Sequence, residues 1–272
     1  MIVLPKRWQQ QWQGEDLFEH VLSLQGEEYR NMDGRRTLRF EKDGRGYFAK
    51  LYSGLGWKRI FKSICTLRKP PVLSAKNEWM AIRKLEELHV DTMTLVGYGE
   101  QGNRPAKCQS FIITEELQPT ESLEDFCRTW PQQPPPVALK RALIAKLATI
   151  SRILHNNGVN HRDYYLCHFL LDLSRGRDQL DPKDLTLFLI DLHRVQFHKK
   201  LPQHWRMKDL AALYFSSMEI GLTHKDIYRF IKIYTGKPLR EALQEYASLW
   251  QRIEQRGAQL MKRYNRKYRF NG

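Results

Sequence analysis

The sequence predicts an α+β protein, with strands early in the chain and helices after them, on three observations. Short apolar segments separated by Asp-Gly turns occupy residues 27–52. Apolar residues at three- and four-residue steps dominate the second half, most clearly in Leu143, Ile144, Leu147, Ile150 and Leu154. A charged loop, His161-Arg162-Asp163, interrupts that second half between the end of a helical pattern and the apolar run Phe169-Leu170-Leu171.

In chain order, residues 1–25 form an N-terminal extension whose Trp8, Trp12, Leu17, Phe18 and Val21 can lie against the body. Strands are predicted over 27–32, 37–41 and 47–52, joined by turns at Asp33-Gly34 and Asp43-Gly44. Residues 57–70 alternate Lys58, Arg59, Lys62, Arg68 and Lys69 with Trp57, Ile60, Phe61 and Ile64. That is the pattern of an amphipathic basic helix, suited equally to an anionic surface and to solvent. A helix over 75–89 places Trp79, Ile82, Leu85 and Leu88 on one side, with Glu78 one position away. Strands follow at 95–100 and 110–115, and Ser122 opens a short helix as its cap. Pro131 and Pro134–Pro136 break the chain before a helix over 137–156, which Asn157-Gly158 closes. After the charged loop, residues 185–189 lead into Ile190-Asp191-Leu192-His193; an acid at the end of a buried strand is costly unless it binds something. Helical patterns return from Arg206, over 223–234 and over 239–260, ahead of a basic tail.

The chain of 272 residues can bury roughly three quarters of its unfolded surface, so it needs no staples. No stretch approaches the length of a membrane span, and MIVLPKRWQQ has too short an apolar run for a signal peptide. The four cysteines form no CxxC pair, which fits a reduced, cytoplasmic chain, and Cys167, His168, His161 and His155 follow no zinc spacing. A net charge of +15 favours an anionic partner. No nucleic-acid-binding motif accompanies it.

The run HRDYYLCHFLL, together with IDLHR at 190–194, resembles the lipopolysaccharide core heptose(I) kinases, which have a protein-kinase-like fold. The resemblance extends from QGEEYR to GLTHKDIYRF. It implies a bilobal α+β architecture: an antiparallel small lobe with one helix over 26–116, and a larger, mainly helical lobe over 117–272. It implies ATP and Mg2+, with Asp163 as the base that accepts the acceptor's hydroxyl proton and Asp191 as a metal ligand. His168 stands where protein kinases carry a metal-binding asparagine, and is either a ligand or core filler. Lys50 is expected to hold the α- and β-phosphates and Glu78 to orient it. The backbone of Glu115 and Leu117 is expected to meet adenine. The glycine-rich phosphate loop is missing; Gly34-Arg35-Arg36 stands in its place, which makes Arg35 and Arg36 candidates for phosphate contacts. Asp209 resembles the helix aspartate that steadies the catalytic loop, or is a first-turn acid favoured by the helix dipole.

The short segment after Asp191, lacking Ala-Pro-Glu, favours a small or glycolipid acceptor over a polypeptide. The resemblance makes that acceptor the first heptose of the lipopolysaccharide inner core, an anionic glycolipid, with peripheral contact to the cytoplasmic leaflet of the inner membrane. A small acidic protein such as acyl carrier protein would be drawn to the same basic surface. The competing readings are a Kdo kinase or a protein tyrosine kinase of the same fold, and a non-catalytic basic binding protein of pseudokinase type.

Overall fold

Alternating side chains and a tight Asp43-Gly44 turn help build the first of two units in this chain. The computed structural model describes residues 1–14, 16–32, 34–53, 74–102 and 108–268. The basic 57–70 pattern, Gly54-Leu55-Gly56, Cys65 and the last residues of the basic tail lie outside them. One unit comprises Met1–Lys84, Met93–Leu117 and Leu192–Arg194; the other comprises Leu85–Thr92, Gln118–Asp191 and Val195–Gly272.

The first unit contains β1 (Ile2–Val3), α1 (Lys6–Gln11), α2 (Leu17–Leu22), β2 (Glu27–Met32), β3 (Arg35–Lys42) and β4 (Arg45–Tyr52). It continues with α3 (Lys76–Glu87), whose last turn is counted with the other unit, then β5 (Leu95–Gln101) and β6 (Gln109–Glu115). The six strands form one antiparallel sheet in the order β1-β5-β6-β4-β3-β2. Asp43 and Gly44 connect β3 to β4 with φ of 53° and 73°, the left-handed pair that a two-residue hairpin turn needs.

Strand alternation decides what each face carries. Leu38 and Phe40, Tyr47, Ala49 and Leu51, and Phe111 and Ile113 all turn to one face. The N-terminal residues cover that face: Trp8, Trp12, Phe18 and Val21 belong to the same core, and Asp16 caps α2 by accepting the Phe18 and Glu19 amides. Residues 1–25 are thus structural members of this unit. Lys50, one position out of phase with Ala49 and Leu51, is left for the other face.

The second unit contains β7 (Thr120–Ser122), α4 (Leu123–Phe126), α5 (Val137–Asn156), β8 (Val159–Asn160), β9 (Phe169–Asp172), β10 (Leu187–Leu189) and β11 (Gln196–Phe197). The helices α6 (Gln203–Ser217), α7 (His224–Thr235), α8 (Leu239–Glu245) and α9 (Ala247–Tyr268) complete it. The pattern expected as one helix over 239–260 divides at Tyr246, where φ of −105° and ψ of 20° end α8 before α9 begins. Two small antiparallel sheets, β10-β9-β7 and β11-β8, carry the loops of interest. Gly158, between α5 and β8, has φ of 73°, and a Cβ there would stand 1.9 Å from the His198 carbonyl oxygen. Only glycine lets the chain turn from α5 directly into the charged loop.

Phe18, 1% exposed and 5.4 Å from the Phe111 ring, tests the structural role of the N-terminal segment. Phe18→Ala is expected to lower the unfolding free energy by about 3–5 kcal/mol, read as a lower urea midpoint. An unchanged midpoint would return residues 1–25 to the status of an appendage.

Candidate active site

In the first unit, Lys50 Nζ donates to Glu78 Oε1 at 2.5 Å. Glu78 is 1% exposed and lies in the buried stripe of α3 itself, in phase with Ile82 and Leu85, rather than beside it. A carboxylate in an apolar stripe needs a cation, and the sheet parity that turns Lys50 away from the aromatic core supplies one. Asn77, on the same helix, donates its side-chain N–H to the His193 carbonyl at 3.0 Å, tying α3 to the residues just after Asp191. Arg35 and Arg36 open β3, rather than lying in a loop before it. Arg36 is engaged by Glu28 Oε1 at 2.5 Å. Glu115 ends β6 opposite Tyr47, and its amide donates to the Thr94 carbonyl at 3.0 Å. Leu117 is the last residue of that stretch of the unit.

In the second unit, the charged loop is fastened from beneath. Asp209, in the middle of α6, is 1% exposed; its Oδ2 accepts the His161 amide at 2.7 Å and its Oδ1 the Arg162 amide at 2.9 Å. It is therefore not a first-turn acid, and its partners are the two amides that precede Asp163. Arg162 has φ of 74°, a left-handed conformation that costs about 1–3 kcal/mol in a non-glycine residue. Its guanidinium lies over Trp205 at 5.0 Å. Beyond Asp163, the buried Tyr164 hydroxyl meets Ser151 Oγ at 2.9 Å; Ser151 gives its own hydrogen to the Leu147 carbonyl, so Tyr164 donates. The Leu166 amide donates to Ser216 Oγ at 3.0 Å. Asp163 is thus held on both sides while its own carboxylate stays half-exposed.

The second acid is positioned by the same loop. Asp191 also has a positive φ, 61°, and the carbonyl just before it, Ile190, accepts His161 Nε2–H at 3.0 Å. Upstream, Asp91 and Thr92 secure Leu189 through its amide at 2.9 Å and its carbonyl at 2.6 Å. His168 Nδ1 lies 2.6 Å from the Asp163 carbonyl oxygen, which can only accept, so Nδ1 donates. Nε2 is 3.6 Å from Asp191 Oδ2. One carboxylate and one imidazole nitrogen converge here. Among the described residues, no group of three or more metal-ligating side chains occurs. Burial raises the Cys167 and Cys127 thiols to about 12, so neither offers a thiolate.

The structure therefore brings Asp163, His168 and Asp191 together in one unit and Lys50 with Glu78 in the other. Sequence reasoning missed Ser151, Tyr164 and Ser216. Ser151 leaves a signal, a hydroxyl between Leu147 and Leu154 on an otherwise apolar helix face; Ser216 and Tyr164 leave none.

Comparison with known proteins bears on the family and the fold. The model of the lipopolysaccharide kinase (Kdo/WaaP) family matches residues 19–234. The lipopolysaccharide core heptose(I) kinase WaaP of Pseudomonas aeruginosa is 49% identical over 269 residues, 99% of this chain and 98% of that protein. Its namesake in Escherichia coli K12 is 48% identical over 257 residues, 94% and 95% of the two chains. A solved structure, WaaP in complex with acyl carrier protein, is 46% identical and covers 96% of this chain and 99% of its own, with a TM-score of 0.82. The α+β, kinase-like fold expected from sequence is the fold of this chain.

His161 links this geometry to pH. Burial depresses its pKa below the usual 6.5, and the Asp209 charge opposes that only in part. The folded state therefore favours the neutral ring. The stability it contributes is complete above about pH 6.5 and is lost as pH falls below that value. Replacement by His161→Gln, which can donate to the Ile190 carbonyl but cannot titrate, is expected to reduce the fall in urea midpoint between pH 7.5 and 5.5. An equal fall in both proteins would remove His161 from the acid response.

Proposed function

The chain belongs to the lipopolysaccharide kinase (Kdo/WaaP) family, and we propose that it is an ATP-dependent lipopolysaccharide core heptose(I) kinase. The observation that carries this reading is near full-length identity of 49% to a heptose(I) kinase, combined with the fastened Asp163 loop. Asp163 accepts the proton of the heptose hydroxyl as that oxygen bonds to the γ-phosphorus and the bond to ADP breaks. Its half-exposed position and immobilised backbone suit that task.

Asp191 and His168 would hold the metal. Magnesium takes one or two carboxylates and fills its other positions with phosphate oxygens and water, so the donor pair fits without a larger protein cluster. A divalent ion held there would supply neutralisation of phosphate charge. The imidazole is a softer donor than the oxygen magnesium prefers, and would also accept manganese. Lys50, aligned by Glu78, holds the α- and β-phosphates; the Glu115 carbonyl and Leu117 amide receive adenine. Arg35 and Arg36 serve the phosphates, Arg36 in competition with Glu28.

Three features bear on partners. The acceptor is an anionic glycolipid, and the net charge of +15 favours it. At the end of α9, Lys262, Arg263, Arg266 and Lys267 are exposed beside Tyr264 and Tyr268, which suits peripheral binding to the cytoplasmic face of the inner membrane. No helix among the described residues is long and apolar enough to cross a membrane. Acyl carrier protein is a further partner, supported by the complex of the related WaaP. The second unit holds a cavity of about 340 Å³ lined by Leu143, Leu147, Leu213, Phe230 and Trp250, of a chemistry to take a fatty acyl chain.

Asp163→Asn is expected to lower heptose phosphorylation by about 10²–10⁴ with an unchanged circular dichroism spectrum. Core oligosaccharide from cells lacking the protein is expected to have lost the phosphate on its first heptose by mass spectrometry; a retained phosphate would refute the acceptor. Acylated acyl carrier protein at about 100 times its Kd should raise the unfolding temperature by several degrees, and the unacylated form should do less. Equal shifts would dissociate the cavity from the carrier.

A further inference from the structure

A second row of buried polar groups lies beneath the loop. His155, in the last turn of α5, is 2% exposed, and Tyr234, in α7, is 4% exposed. The Tyr234 hydroxyl is 2.8 Å from His155 Nδ1. The other ring nitrogen, Nε2, lies 3.5 Å from Asp209 Oδ2 and makes no hydrogen bond among the described residues.

A neutral imidazole carries one N–H. A bare Nε2 would set its lone pair against the Asp209 carboxylate, so the hydrogen belongs on Nε2 and Nδ1 must accept from the tyrosine. The Arg206 guanidinium lies 6.0 Å from the Tyr234 ring centre.

We propose that Tyr234 is a positioning residue of the phosphoryl-transfer loop. By donating to His155 Nδ1 it locks the ring in the tautomer that presents Nε2–H to Asp209, the carboxylate that holds the His161 and Arg162 amides. Without the hydroxyl, the opposite tautomer becomes accessible and its lone pair confronts Asp209. The clamp on the strained Arg162 backbone weakens, and Asp163 beside it is less well fixed. The expected effect on rate rests on the kinase reading; the tautomer does not.

The test compares wild type, Tyr234→Phe and Tyr246→Phe. Phenylalanine at 234 keeps the ring that stacks on Phe230 at 5.8 Å and meets Trp250 edge-on at 6.1 Å. Tyr246→Phe removes a hydroxyl from the same aromatic group, next to Trp250, without touching His155. Nitrogen NMR of histidine-labelled wild type is expected to find His155 protonated on Nε2. Tyr234→Phe should give a mixture of tautomers, about tenfold faster hydrogen exchange at the Arg162 amide, and kcat lowered about fivefold, the factor of one net hydrogen bond. The KM for ATP should stay within about twofold, since only the loop is affected. Tyr246→Phe should leave all of these unchanged. Nδ1 protonated in the wild type, or matching exchange and kcat in the two variants, would overturn the proposal. Should Tyr234→Phe not fold, the wild-type tautomer alone decides. A wild type inactive on heptose would overturn the kinase reading, while the nitrogen and exchange measurements would still decide the role of Tyr234.

Discussion

The Asp209 carboxylate is the constraint on which the chemical half of this protein depends. It is almost fully buried, a placement that costs several kcal/mol unless its oxygens are filled. They are filled by two consecutive backbone amides, those of His161 and Arg162. The same two bonds hold Arg162 in a left-handed conformation that its side chain disfavours. The charge and the strain thus offset each other: neither would persist alone, and together they fix the residue that follows, Asp163.

From this anchor, one side chain extends control to the second acid. His161 is suspended by its amide from Asp209, and its ring holds the carbonyl before Asp191. Asp191 is the other strained non-glycine residue of this region. His168 completes the circuit by binding the Asp163 backbone with one nitrogen and leaving the other beside the Asp191 carboxylate. Two acids far apart in the chain therefore share a common support, which is what positioning for phosphoryl transfer asks of a protein. In the other unit the Lys50–Glu78 pair follows the same logic, a buried carboxylate met by a cation.

Much of this was legible in the sequence because it is written in local pattern. The Asp43-Gly44 turn, the period-two strands around Lys50, the helix closed by Gly158 and the charged loop before Phe169 each follow from neighbouring residues. Glu78 was legible as an acid next to an apolar stripe, although it lies within the stripe. The N-terminal aromatics were less legible, because Trp8 and Phe18 acquire a role only when α1 and α2 fold onto a sheet whose strands come later. The division of 239–260 at Tyr246 was hidden because the apolar spacing continues through the break.

By itself, the sequence determined the family and the kind of fold, since these are carried by residue types at short spacings. Only the tertiary structure decided that Asp209 serves as a clamp, that Ser151 and Ser216 anchor the loop, and that His168 turns Nε2 towards Asp191. Those roles depend on hydrogen-bond directions between segments tens of residues apart, and a one-dimensional pattern carries spacing along the chain but no direction across it.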